Sequence, residues 1–111
     1  MSHKYHARPV TAGGERFDSM GEFIRHKELL ILQKAGQISG LQRQPVFELQ
    51  PAFKDGNGKR QRAIKYKADW QYQENGNIIV EDFKGVETPV FKLKAKMFRY
   101  KYPDIELRIT N

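Results

Sequence analysis

Asp69, Asp82 and Lys84 are the residues whose types and spacing could do chemistry. They flank Glu74-Asn75-Gly76-Asn77, with Tyr66-Lys67-Ala68-Asp69-Trp70-Gln71-Tyr72 before it and Ile78-Ile79-Val80-Glu81-Asp82-Phe83-Lys84-Gly85 after it. β-Branched and aromatic residues on both sides of Asn-Gly predict a hairpin. Side chains alternate between faces along a strand. Ile78, Val80, Asp82 and Lys84 therefore share one face of the second strand, and Ile79, Glu81 and Phe83 share the other. In the first strand Lys65, Lys67 and Asp69 are expected to face away from Ile64, Tyr66, Ala68 and Trp70. A carboxylate on one strand and an acid-x-lysine on its partner then converge on one patch. Carboxylate oxygens suit hard cations such as Mg²⁺ or Mn²⁺, which bind phosphate oxygens and retain waters. The alternative for Asp82 and Lys84 is a surface ion pair, worth ~0–1 kcal/mol.

The chain that must position these residues has 111 of them, enough for one domain with a modest core. Apolar residues make up 39% and charged residues 30%, the balance of a folded soluble protein. No apolar run approaches the ~18 residues of a membrane span, and the N-terminus lacks the apolar segment of a signal peptide. Cysteine is absent, which excludes disulfides and thiolate metal sites and makes the cytoplasm the expected compartment. The net charge of +7 favours a polyanionic partner, nucleic acid first and an acidic membrane surface second.

Residues 1–18 read as a basic arm leading into a hairpin, with His3, Lys4, His6 and Arg8 ahead of a Gly13-Gly14 turn. His3 and His6 lack a third ligand nearby and read as solvated. Ser19-Met20-Gly21-Glu22 has the form of a capping box. Met20, Phe23, Ile24, Lys27, Leu30 and Ile31 follow helical spacing up to the stop at Gly36, and are expected to form the buried stripe. Glu22 falls away from that stripe together with His26, Leu29 and Gln33, so its local reading is that it caps its own helix.

After a connection over residues 36–40, Gln44-Pro45-Val46-Phe47-Glu48-Leu49 reads as a short strand. Lys54-Asp55-Gly56-Asn57-Gly58-Lys59-Arg60 is a loop of turn residues leading into one long strand over Arg62–Tyr72. Arg60, Arg62, Lys65 and Lys67 make this stretch basic, either as a solvated face or as a surface that follows a phosphate backbone. Thr88-Pro89 starts a second helix that ends before Pro103. Val90, Phe91, Leu93, Met97 and Phe98 form its apolar face, with Lys92, Lys96 and Arg99 opposite. Lys94 falls among the apolar residues, where it either extends its stem past the core or points at the sheet face of Asp82. Ile105, Leu107 and Ile109 alternate as a terminal strand.

The resulting order, α-β-β-β-α-β, resembles the common core of the PD-(D/E)xK nuclease superfamily, here over residues 19–110. More narrowly, the chain resembles short phage- and prophage-encoded proteins of that superfamily. The stretches that carry the likeness are Phe17-Asp18-Ser19-x-x-Glu22, Gln44-Pro45-x-Phe47-x-Leu49, Tyr66-x-Ala68-Asp69, Glu81-Asp82-Phe83-Lys84-Gly85 and Phe91-x-Leu93-Lys94. Asp-x-Lys alone is a common tripeptide, and the five stretches in this order are more specific. The resemblance departs at Ala68, where the superfamily's name has proline, and at Lys94, where related nucleases often carry another polar residue.

The resemblance implies an α/β (α+β) fold of the restriction-endonuclease type, with a mixed sheet flanked by helices, in a single domain over residues 19–111 behind the arm. It implies a metal-dependent endonuclease that hydrolyses DNA phosphodiester bonds, with Glu22, Asp69, Asp82 and Lys84 as the catalytic set. Glu22, Asp69 and Asp82 would hold Mg²⁺ or Mn²⁺, and Lys84 would orient or deprotonate the attacking water. Lys65, Lys67, Lys92, Lys94, Lys96 and Arg99 would meet the nucleic acid. Similarity to Holliday-junction resolvases points to branched DNA, which a homodimer would suit. Glu81, on the opposite face from Asp82, is expected to tolerate change to glutamine at little cost to activity. The competing reading is a non-catalytic nucleic-acid-binding module on the same fold.

Overall fold

The computed structural model describes residues 8–111, so the expectations for His3, Lys4 and His6 lie outside the described residues. The fold is α+β. Strands β1 (Val10–Ala12) and β2 (Glu15–Phe17) form the expected hairpin, and Gly13 and Gly14 take φ of 60° and 81° in its turn. Those angles cost a residue without Cβ nothing. Helix α1 (Met20–Lys34) begins where Ser19 Oγ accepts the Glu22 N–H at 3.1 Å. Between it and helix α2 (Pro89–Lys101) run β3 (Ser39–Arg43), β4 (Val46–Gln50), β5 (Phe53–Lys54), β6 (Arg60–Gln61), β7 (Ile64–Lys67), β8 (Trp70–Glu74) and β9 (Asn77–Phe83). Thr88 caps α2, accepting from the Phe91 N–H, and β10 (Glu106–Thr110) closes the chain.

The main sheet has the order β10-β9-β8-β3. β8 and β9 pair antiparallel through the Asn75-Gly76 turn, β3 pairs antiparallel with β8, and β10 lies parallel to β9 after the α2 crossover. The two faces carry separate cores. On one, Phe91, Ala95 and Phe98 of α2 cover Tyr66, Ala68, Val80 and Leu49. On the other, Leu29 of α1 packs with Ile38, Trp70, Tyr72 and Ile79. Successive residues of β9 thus serve opposite cores, which is why Ile79 and Val80 are both buried.

Several expectations change. The α1 stripe is inverted: Glu22, His26 and Leu29 are buried, whereas Met20, Ile24, Leu30 and Ile31 are 55%, 52%, 41% and 67% exposed. The inward face is completed by polar partners, since His26 Nδ1 accepts the Trp70 indole N–H at 3.1 Å and Gln33 Oε1 accepts the Leu41 N–H at 2.8 Å. On α2, Val90 and Leu93 are likewise exposed. The connection after Gly36 gives way to a strand at Ser39, and the single strand over Arg62–Tyr72 is broken at Ala68-Asp69.

Candidate functional site

The break creates the site. β4 and β7 pair as a continuation of β3 and β8, and the resulting ribbon bends where Gln44-Pro45 faces Ala68-Asp69. Two backbone bonds hold the bend: Gln44 N–H donates to the Asp69 carbonyl (2.9 Å), and Ala68 N–H donates to the Pro45 carbonyl (3.1 Å). Gln44 takes a φ of 55°, a left-handed conformation rare for a residue with a side chain. Across the bend, Tyr66 and Ala68 enter the core under α2, while Trp70 and Tyr72 enter the core under α1. The expectation of one continuous face for Tyr66, Ala68 and Trp70 therefore fails, and Asp69 stands at the crossover.

Asp69 meets Asp82 there. Asp69 Oδ2 accepts the Phe83 N–H at 2.8 Å, and Asp82 Oδ2 accepts the Tyr66 hydroxyl at 2.5 Å. Lys84 Nζ lies 3.7 Å from the same Asp82 oxygen and 4.7 Å from the centre of the Phe91 ring. Asp82 is 1% exposed. Burial, then the hydrogen bond and charge of neighbouring Asp69, push its carboxyl up to about 8, against the opposing pull of Tyr66 and Lys84. Two adjoining carboxylates, one of them buried, favour a proton or a cation between them.

Glu22 approaches from the other side. It is 4% exposed, and Arg43 Nη2 lies 3.3 Å from its Oε2. Burial raises its carboxyl, with help from the charges of Asp69 and Asp18, and Arg43 lowers it. The reading of Glu22 as only a cap is thus corrected, because the cap bond uses its backbone N–H and its side chain turns inward. Arg43 also donates to Glu15 and to the Arg16 carbonyl, and lies 4.1 Å over the Phe17 ring. Its Nε is a buried nitrogen without a hydrogen-bond partner. Among the described residues, no three acidic or imidazole side chains cluster closely enough to hold a metal ion. The structure brings Asp69, Asp82 and Lys84 to one cleft of about 450 Å³ and leaves Glu22 beside it, engaged by Arg43.

Of the basic residues singled out in the sequence, Lys67 lines this cleft. Lys65, Lys92, Lys96 and Arg99 are exposed elsewhere on β7 and α2, and Lys94 is half-buried. Arg16, Asp18 and Arg43 also line the cleft and were missed, although Phe17-Asp18 carried part of the resemblance. Tyr66 was missed as the partner of Asp82 because an unbroken strand would send it elsewhere.

Glu81 faces away from Asp82 as alternation requires, but it is no bystander. Fully buried, it accepts from Arg25 Nε (2.6 Å) and Nη2 (3.0 Å), the Tyr72 hydroxyl (2.5 Å) and the Thr110 hydroxyl (3.1 Å). Burial alone would raise its carboxyl; those donors hold it below the usual range. Glu81 therefore holds the fold on the face opposite Asp82, and its change to glutamine bears on stability.

No curated protein and no solved structure matches the chain. No helix among the described residues is long and apolar enough to cross a membrane. One family model matches residues 2–111, and the chain belongs to that family, described as Protein of unknown function (DUF1064).

Proposed function

We propose that the protein is a metal-dependent nuclease that hydrolyses phosphodiester bonds in DNA. The observation that carries this reading is the convergence of Asp69, Asp82 and Lys84 on one cleft whose walls add Lys67, Arg16 and Arg43. A binding surface gains nothing from buried carboxylates beside phosphates, whereas hydrolysis needs them. The order of elements supports the reading further. α1, a meander of β3, β8 and β9, and an α2 crossover to parallel β10 are in keeping with a restriction-endonuclease-like core, elaborated by β4 to β7.

The donor set fits a hard divalent cation that keeps several waters. Asp69 and Asp82 would hold it, each having one oxygen that takes no N–H or hydroxyl donor from the described residues. Glu22 would take part through water or after release from Arg43. Such an ion lowers the pKa of water and offsets charge that builds up on phosphate oxygens. Tyr66 and the Phe83 N–H fix the two carboxylates in place. Lys84, held between Asp82 and the Phe91 ring, would orient the attacking water or stabilise the developing phosphorane charge.

Cleavage of duplex, four-way-junction and single-stranded DNA with Mg²⁺, Mn²⁺ or EDTA tests this. Cleavage should require the metal and fall by orders of magnitude in Asp82→Asn and Lys84→Ala. Metal-independent cleavage, or full activity in both variants, would refute it. The engagement of Glu22 by Arg43 favours the second reading, a binder that no longer cleaves. DNA binding without cleavage of any of these substrates would establish that one.

A further inference from the structure

The hairpin β5–β6 belongs to neither core. Its strands pair with each other, Phe53 with Gln61 and Lys54 with Arg60, and join no other sheet. Phe53 is 44% exposed, and a Cβ added at Gly56 or Gly58 would meet nothing within 4 Å. The tip is nonetheless ordered by one side chain. Asp55 Oδ1 accepts the N–H groups of Asn57 (2.9 Å) and Lys59 (3.0 Å), and Oδ2 accepts the Gln61 amide (2.9 Å). A two-stranded hairpin is marginal without such support.

Charge on and beside this arm is mostly positive. Lys54, Lys59, Arg60, Arg62 and Lys65 fall within residues 54–65, where Asp55 is the sole acid. All five cations are exposed, and among the described residues none makes a salt bridge. An arm whose tip is tied by Asp55, standing clear of the core and carrying exposed cations without salt bridges among the described residues, is shaped for a polyanion. A two-stranded ribbon fits the major groove of B-form DNA, ~12 Å wide, whereas the A-form groove of duplex RNA is too narrow to admit it.

We propose that β5–β6 is a DNA-gripping arm that lies in the major groove of the duplex, with Lys54, Lys59, Arg60 and Arg62 on the flanking phosphates. The inference rests on the reading of the protein as one that acts on DNA, but not on its being catalytic. It assigns the grip to residues remote in sequence from α2, whose basic face needs no contact with the groove.

The test is binding by the full chain in EDTA to a duplex of about 20 base pairs, as DNA and as RNA of the same sequence, over a range of salt. K54Q/K59Q/R60Q/R62Q should keep the circular dichroism and thermal unfolding of the parent, because every changed side chain is exposed. Its DNA affinity should fall at least about tenfold, and the log–log salt slope should lose ~0.9 for each phosphate contact removed. K59Q alone should lose a fraction of that, and the parent should bind DNA more tightly than RNA. Unchanged affinity and slope in the fourfold variant would overturn the arm. Equal binding of RNA, with an equal loss in the variant, would overturn the groove. Binding to phosphatidylserine vesicles but not to DNA would overturn both, and the nucleic-acid reading with them. DNA binding that depends on the arm, without metal-dependent cleavage, would uphold the arm and remove only the nuclease.

Discussion

The Tyr66 hydroxyl donates to Asp82 Oδ2 at 2.5 Å from within the core under α2, so a packing residue also tunes the buried acid. That bond favours the ionised form of Asp82, against burial and Asp69, which favour the protonated one. Tyr66→Phe keeps the packing and removes the donor. A hydrogen bond to a charged group is worth ~1.5–3 kcal/mol, so the Asp82 carboxyl should rise by about one pH unit or more. Because a cation competes with the proton, cleavage near neutral pH should fall about tenfold and recover at higher pH. A pH–rate profile decides the matter: the acid limb should move upward. Loss by a constant factor at every pH would show that Tyr66 acts only by packing.

The same acid sets a pH dependence of stability. Asp82 has a folded-state pKa raised from the ordinary 3.8, so its contribution is fully present below that value and is lost as pH rises through the folded-state value near 8. Glu81 works in the opposite sense: its depressed carboxyl contributes above its ordinary pKa and loses that contribution as pH falls. Without metal, the thermal midpoint should therefore decline from about pH 5 to about pH 8. Asp82→Asn should flatten the decline and be the more stable protein at the upper end. Added Mg²⁺ should raise the parent's midpoint most where the decline is deepest. Melting curves in EDTA and in Mg²⁺ would check all three, and a decline unchanged in Asp82→Asn would assign it to other groups.

How far the sequence reveals this arrangement depends on whether neighbours along the chain determine it. The hairpin turns, both helix caps and the alternation in β9 are local, and Asp82, Lys84 and Glu81 face as expected. The inward face of α1 is not local. Glu22, His26 and Gln33 look polar on a helical wheel, and only Arg43, Trp70 and the Leu41 N–H make their burial tolerable. The bend at Ala68-Asp69 is hidden for a similar reason. No proline or glycine interrupts Ile64–Tyr72, and the bend is fixed from the opposite strand by Gln44-Pro45. Hence Tyr66, which depends on the bend, could not be connected with Asp82 beforehand.

Glu81→Gln should be costly. It leaves Arg25 beside a buried, neutral amide that cannot match four donors, and breaking a buried pair typically costs ~3–5 kcal/mol. Arg25 keeps some contact with solvent and with Glu28, so about 2–3 kcal/mol is expected here. Cleavage per folded molecule should persist, since Glu81 faces the core under α1. Chemical denaturation together with activity at low temperature separates the effects. A stable variant without activity would mean that the face of β9 that does chemistry has been misassigned.

Gly21, in the first turn of α1, links that helix to β9 through a close approach. A Cβ there would come within 2.8 Å of the Phe83 Cε1 atom, and the ring belongs to the residue whose N–H holds Asp69. Gly21→Ala improves helix propensity by ~1 kcal/mol, but over-packing costs typically ~1–3 kcal/mol, so the net change should be zero to about 2 kcal/mol destabilising. Where the half-buried ring does not turn aside about its own side-chain bonds, it clears the Cβ by shifting the end of β9 or the start of α1. Either shift changes the distance between Asp69 and Asp82, so cleavage should fall by about tenfold or more even where the protein is fully folded. Gly21→Ser should behave alike, because the clash is with the Cβ and not with the hydroxyl beyond it. Phe83→Leu in the Gly21→Ala background should restore part of the activity by clearing the space. Full activity in Gly21→Ala would show that the ring yields without moving the Phe83 N–H, and that the contact does not set the geometry of the carboxylate pair.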